Sequence, residues 1–205
     1  MGKIFEVKNL EDAKRIAIEE FELPEKDLKF EVLKETKGFL GIGSKIEVEV
    51  SVTTDGIEEG KKYIKAILDY NGAEGFIEKK VRGNNVEFNI DAGDFNGYLI
   101  GKNSRNLIAL QTLVSTIVNR YYSKEDKKAV LVDVGGYKKR REKNLESMAV
   151  DWGKQVARSK QAITITDLNA YERKIIHNKL STWKDVQTHS EGDGSDRVLI
   201  IEPKQ

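Results

Sequence analysis

The chain has 205 residues, 39% hydrophobic and 34% charged, enough for one medium domain or several small ones. Lys and Arg number 35 against 34 Asp and Glu, a net charge of +1, so a nucleic-acid footprint must come from where charge sits, not from its sum. The absence of cysteine removes disulfides, thiol nucleophiles and cysteine-ligated zinc, and two histidines, His177 and His189, are too few for a histidine metal site.

The opening "MGKIFEVKNLEDAKR" lacks the apolar centre of a signal peptide, and no apolar run approaches the roughly 18 residues of a spanning helix. A soluble, cytoplasmic, modular protein without a cofactor is the expectation. The class expected is α+β, in three small domains.

Residues 1–52 open with a short strand, "KIFEVKN". Leu10, Ala13, Ile16, Ala17 and Phe21 then recur at helical spacing. "LKFEVLKE" and "IEVEVSV" alternate as half-buried strands, separated by "GFLGIGSK", which gives a β-α-β-β unit. With 9 basic and 12 acidic residues this segment is net −3, a poor candidate for phosphate binding. The polar "TTDG" at 53–56 reads as a linker. From residue 57, a helix, a hairpin turning at residues 83–85, the short apolar "FNGYLI", a long helix from about Ser104 to Tyr122 and the strand "KAVLVDVG" give the order α-β-β-α-α-β. After "GGY", helices are expected over 138–160 and 169–183, and "RVLIIEP" as a final strand. The helix 138–160 holds 8 basic and 3 acidic residues, net +5, so a basic region lies toward one end of the chain.

"IGKNSRNL" at 100–107 joins two predicted helices. A glycine joint exposes backbone N–H groups at the start of the second helix, and with the helix dipole these make an anion site. Gly101 permits close approach, Lys102 adds a cation, Asn103 completes the loop, and Ser104 is placed to cap the next helix. Ile100 and Leu107 would supply an apolar floor for bases. Alone, "GKNS" reads more readily as an ordinary helix–helix turn; the surrounding order of elements reverses that preference. In that order the stretch resembles a KH domain, whose GXXG loop clamps four backbone nucleotides. The fourth position here is Ser104, and serine does not take positive φ as freely as glycine.

In the helix 138–160, Leu145, Met148, Ala149, Trp152 and Val156 share one side, with Arg140, Lys143, Lys154 and Arg158 near the other. A solvated charged face and a phosphate-contacting face are equally good readings of that stripe. In "LNAYERKIIHNKL", Arg173 and His177 lie one helical turn apart, flanking the core positions Ile176 and Leu180, with Asn169 and Glu172 spaced as a capping box. The pair suits a phosphate, or His177 is a satisfied part-core residue. As a catalytic base it has no evident nucleophile or metal set, so a nuclease is a poor reading. "LNAYERKIIH" followed by "THSEGDGSDRVLIIEP" resembles the single-strand nucleic-acid-binding domain named for its Arg-x-x-x-His. That likeness implies phosphate or base contact for Arg173 and His177, with Arg197 as a further cation.

"KGFLGIGSK" carries Phe39, Leu40 and Ile42 between glycines but lacks the Gly-Lys-Ser/Thr ending of a phosphate loop. Apolar residues at a hairpin tip suit packing or a partner. With this loop, the KH-like segment (57–135) and the Arg-x-x-x-His segment (136–205), the chain resembles the Jag family, the SpoIIIJ-associated or KhpB/EloR proteins, over essentially its whole length. The resemblance implies a bacterial cytoplasmic protein that binds single-stranded RNA and regulates after transcription. It further implies links to cell elongation and division or sporulation, pairing with itself or with a small KH-domain protein, and a YidC-type insertase as partner. The alternative is an adaptor at the membrane face docking through Phe39, Leu40 and Ile42.

Overall fold

The computed structural model describes residues 2–36 and 45–204. The loop carrying Phe39, Leu40 and Ile42 lies outside the described residues. The described residues are mixed α and β, built on three small three-stranded sheets.

The first sheet has β1 (Gly2–Val7) and β2 (Leu28–Thr36) on either side of β3 (Lys45–Val52), all antiparallel. Between β1 and β2 runs α1 (Leu10–Phe21), capped by Asn9, whose side chain accepts from the Asp12 N–H. Ala13 and Ala17 of α1 are fully buried against Val48 and Val50, with Leu23 and Leu28 in the same core. The helical spacing of small residues on α1 and the period-two pattern of β3 therefore meet as expected. The predicted linker is a pinned segment. Thr53 N–H and Thr54 Oγ donate to the buried Asp27, to its carbonyl and to its carboxylate at 2.7 Å respectively.

Next come α2 (Gly56–Tyr70), β4 (Phe76–Arg82), β5 (Asn85–Asp91), α3 (Asn96–Ile100), α4 (Arg105–Asn119) and β6 (Ala129–Val134), the expected α-β-β-α-α-β order. The sheet runs β4-β5-β6, and the alternation of β5 buries Val86, Phe88 and Ile90. The long α4 is shorter than expected at both ends. Asn103 and Ser104 have φ of 52° and 62°, which helical backbone cannot absorb, and the chain leaves the helix after Asn119.

The last part holds α5 (Tyr137–Ser159), β7 (Ile163–Ile165), α6 (Ala170–Leu180), β8 (Val186–Glu191) and β9 (Val198–Pro203), with sheet order β7-β9-β8. Strands β7 and β8 are not predicted by hydrophobic pattern. The first has three residues, and the second is largely polar, held by its ladder to β9. Leu145, Ala149 and Val156 of α5 pack with Ile176 and Leu180 of α6 and with Leu199 and Ile201 of β9. Met148, expected in that core, is 40% exposed. Gly153 is buried in its stead, where a Cβ would come within 2.8 Å of Leu180 and 3.0 Å of Trp183.

Two compact units result: the described residues of Met1–Ile67 with Val81–Val86 and Leu113–Val130, and Leu68–Lys80 with Glu87–Thr112 and Leu131–Gln205.

Candidate nucleic-acid interface

The "GKNS" joint sits between α3 and α4, as its glycine implies. Gly101 has φ 69° and ψ 174°, and a Cβ there would fall 2.6 Å from the Asn106 side chain. Asn106 has its own task, donating from Nδ2 to the Tyr98 carbonyl at 2.7 Å, so the first turn of α4 holds the end of α3. Lys102 is exposed. Ser104 adopts left-handed φ despite its side chain, and it is nearly fully buried. Its hydroxyl, expected to cap α4, lies 2.7 Å from the Tyr137 hydroxyl at the start of α5. Upstream, Asp91 accepts from Asn96 Nδ2 (2.9 Å) and the Gly93 N–H (3.2 Å), and these two bonds hold its carboxyl below the ordinary value. Both ends of the joint are thus tied by side-chain hydrogen bonds.

Helix α5 starts from Gly136 in left-handed conformation, with the Lys138 N–H donating to the Asp133 carboxylate. Lys138 Nζ donates to Gln111 Oε1 at 2.7 Å, and burial pushes its ammonium below the ordinary lysine value. Arg140, Lys143, Lys154 and Arg158 are exposed. Along the helix axis they fall in two groups, Arg140 with Lys143 and Lys154 with Arg158. Arg140 and Lys143 edge a concavity of about 350 Å³ with Tyr137, Arg141 and Asn144. Arg158 lies 18 residues beyond Arg140, ~27 Å along the axis.

Helix α6 opens on the expected capping box: Asn169 accepts from the Glu172 N–H, and Glu172 accepts from the Asn169 N–H, each at 3.0 Å. Glu172 is 2% exposed, and its other oxygen meets Arg141 Nε at 2.7 Å. Arg173 donates from Nη1 to the Leu168 carbonyl at 2.7 Å and reaches the Arg197 carbonyl at 3.4 Å. Those bonds use one of its nitrogens, and a guanidinium carries five N–H donors in all. His177 is exposed, with Nδ1 2.6 Å from Thr188 Oγ. Arg173 and His177 do share a face. They line one open concavity of about 410 Å³ with Lys174, His189 and Arg197. Lys174 and His189 were missed by sequence reasoning; His189 arrives on β8, whose polar composition gave no strand signal.

A larger groove, about 650 Å³, is lined by Ser104, Leu107 and Ile108 of the joint and α4, Leu131 of β6, Tyr137 and Leu145 of α5, and Tyr171 and Ile175 of α6, among others. Of the loop, Ser104 is on its wall, whereas Arg173 and His177 line the neighbouring concavity. Among the described residues no group of three or more His, Asp or Glu is placed to hold a metal ion. No helix among them is long and apolar enough to cross a membrane.

The family profile of the Arg-x-x-x-His domain matches residues 143–203, and the one described as Jag N-terminus matches residues 5–54. The chain is 32% identical over 201 residues to an RNA-binding protein KhpB of Clostridium symbiosum, covering 97% of this chain and 90% of that one. It is 30% identical over 203 residues to RNA-binding protein KhpB of Bacillus subtilis, covering 97% and 96%. The chain belongs to the KhpB (Jag) family. A KhpB protein of Streptococcus pneumoniae is 25% identical over 161 residues, 78% of this chain and 48% of its own. Along the chain, the concavity of Arg173 and His177 falls inside the Arg-x-x-x-His match, and the "KGFLGIGSK" loop inside the Jag N-terminal match.

Proposed function

We propose that the chain binds single-stranded RNA through two modules in tandem and acts as a post-transcriptional regulator in bacterial cell elongation, division or sporulation. The modules are a KH domain over 57–135, gripping backbone with Gly101, Lys102, Asn103 and Ser104, and an Arg-x-x-x-His domain over 136–205, using Arg173 and His177. A Jag N-terminal domain over 1–52 precedes them, joined by residues 53–56. The observation that carries the reading is the convergence of Arg173, Lys174, His177 and Arg197 on one open concavity within the Arg-x-x-x-His match. Relatives named RNA-binding protein across nearly their whole length support it. The mechanism is binding: phosphates meet cations and orphan N–H groups, and no residue is assigned a chemical step. Two modest sites on one chain raise affinity through effective concentration. Arg140, Lys143, Lys154 and Arg158 add longer-range attraction. A cytoplasmic location and partners recruited through the KH segment or at a YidC-type insertase belong to the same reading and rest on the family resemblance.

The test is titration of a fluorescent single-stranded RNA pool across a salt series. Wild type should show log affinity falling linearly with log salt. Arg173→Ala/His177→Ala should weaken binding and reduce that slope by about 1, the loss of one phosphate contact. Lys102→Asp/Asn103→Asp should weaken binding further, because a carboxylate then faces the phosphate. Wild-type protein without salt-dependent binding would reject the reading.

A further inference from the structure

We propose that the start of α5 is a splint, with Tyr137 and Lys138 as positioning residues. It holds the "GKNS" joint and the concavity of Arg173 and His177 in one fixed relation, so that a single RNA strand meets them as one pre-set site. The inference rests on the RNA-binding reading above and adds to it what sets the spacing of the two contacts. Three observations carry it.

The first is the connection between the modules. Only Gly135 and Gly136 join β6 to α5, and a glycine pair reads in the sequence as a flexible hinge. Here the pair is held. The Gly135 N–H donates to the Ile90 carbonyl at 2.7 Å, and the Gly135 carbonyl accepts from the Arg140 guanidinium. Both glycines have left-handed φ, 55° and 70°, and a Cβ on Gly135 would fall 3.1 Å from Asn96 Nδ2. Glycine is therefore needed for a tight crossing in a conformation that other residues rarely adopt, and not for freedom of movement.

The second observation is a set of ties from α5 to each grip. The Tyr137 and Ser104 hydroxyls lie 2.7 Å apart, which fastens the last residue of the joint to the first residue of α5. The Lys138 N–H donates to the Asp133 carboxylate at 3.1 Å, and its Nζ donates to Gln111 Oε1 at 2.7 Å. The same Gln111 oxygen accepts from the Val132 N–H at 3.1 Å, so α4, β6 and α5 converge on one acceptor. One turn beyond Tyr137, on the same face of α5, Arg141 Nε meets the buried Glu172 at 2.7 Å. Glu172 immediately precedes Arg173. Adjacent turns of one helix thus carry the ties to both grips.

Third, the joint, the glycine pair, α5 and α6 all belong to one compact unit, within Glu87–Thr112 and Leu131–Gln205. Beyond its first turns α5 is packed on Ile176 and Leu180 of α6, so the splint is anchored on its far side by a core. Contacts fixed in advance lose less freedom on binding, which favours strands whose contacted phosphates match the built-in spacing.

The experiment uses the full chain, whose lack of cysteine lets two introduced cysteines carry spin labels. Ala109→Cys/Thr182→Cys places one label on α4 and one after α6, both at exposed positions. Dipolar spectroscopy then reads their separation. Binding is measured with two short oligouridines joined by ethylene-glycol spacers of graded length, with one oligouridine alone as the reference. Wild type should give one narrow distance. Its affinity should stay near the reference until the spacer spans both grips, and then step up about tenfold or more. Two variants loosen the splint: Tyr137→Phe/Gln111→Ala, and a Gly-Ser-Gly-Ser insertion between Gly135 and Gly136. Each should broaden the distance, blur the step into a gradual rise and weaken the best-spaced strand about tenfold. The salt slope should hold, because no phosphate contact is removed. A broad distance in wild type would overturn the inference and leave the RNA-binding reading standing. So would variants that unfold more easily yet keep the sharp step, since the ties would then serve stability alone. Wild-type protein without salt-dependent binding removes both.

Discussion

Ser104 occupies backbone that glycine would take without strain, and it does so with its hydroxyl held by Tyr137. Two terms compete on replacement. Glycine relieves left-handed strain of about 1–2 kcal/mol but gives up a hydrogen bond of about 0.5–1.5 kcal/mol. Ser104→Gly should therefore change stability by no more than about 1 kcal/mol in chemical denaturation and tighten RNA binding, since the backbone can then approach more closely. Tyr137→Phe removes the bond without relieving the strain, and stability should fall by about 1 kcal/mol. A fall for Ser104→Gly as large as for Tyr137→Phe would show that the strain term is negligible. The Arg141–Glu172 pair behaves differently because Glu172 is buried. Arg141→Met leaves a carboxylate without its counter-charge, at a cost of about 2–3 kcal/mol, below the usual figure for fully buried pairs because Arg141 is partly exposed. Glu172→Gln in the same chain should recover part of that loss.

Among the elements, the turn ahead of α3 carries a pH dependence with a definite sign. The native Asp91 carboxyl lies below its ordinary value of 3.8 because Asn96 and the Gly93 N–H bond its charged form. Its stabilisation is therefore present above 3.8 and lost as pH falls through the native value. Thermal midpoints of wild type and Asp91→Ala should differ at neutral pH and converge in acid. Between α5 and α6 the contact is governed by Gly153. Adding a Cβ gains up to about 1 kcal/mol in helix propensity but crowds buried Leu180 and Trp183, a cost of about 1–3 kcal/mol. Gly153→Val, larger and β-branched, should destabilise clearly in urea titrations. These elements also show what could be read beforehand. The amphipathic spacing of α1, α2, α4 and α5, the capping box of α6 and the glycine joint at 101 were legible because each is encoded within one turn of chain. Strands β7 and β8 were not, because pairing with β9 makes them and their own composition does not. Met148 and Gly153 exchanged roles for a related reason: periodicity ranks residues by apolarity, while a close helix contact selects for size. Of the groove's lining only the Leu107 floor was legible in the sequence, because the other walls are drawn from β6, α5 and α6.

For the whole molecule, charge and compactness separate two tasks. The acidic N-terminal segment is tied to residues 53–54 through Asp27, whose carboxylate receives Thr54 and whose carbonyl receives Thr53. Asp27→Ala leaves the Thr54 hydroxyl without that partner and should cost about 1–3 kcal/mol in unfolding experiments. RNA affinity and its salt slope should hold, because the cations assigned to RNA are all elsewhere in the chain. Helix α5, meanwhile, runs 23 residues without interruption, about 34 Å. It carries one cation group near its start and another near its end. That makes it a ruler. If both groups hold RNA, an unpaired stretch must be long enough to bridge them, so affinity should rise with oligonucleotide length up to that span and level off beyond it in a titration of single strands of graded length.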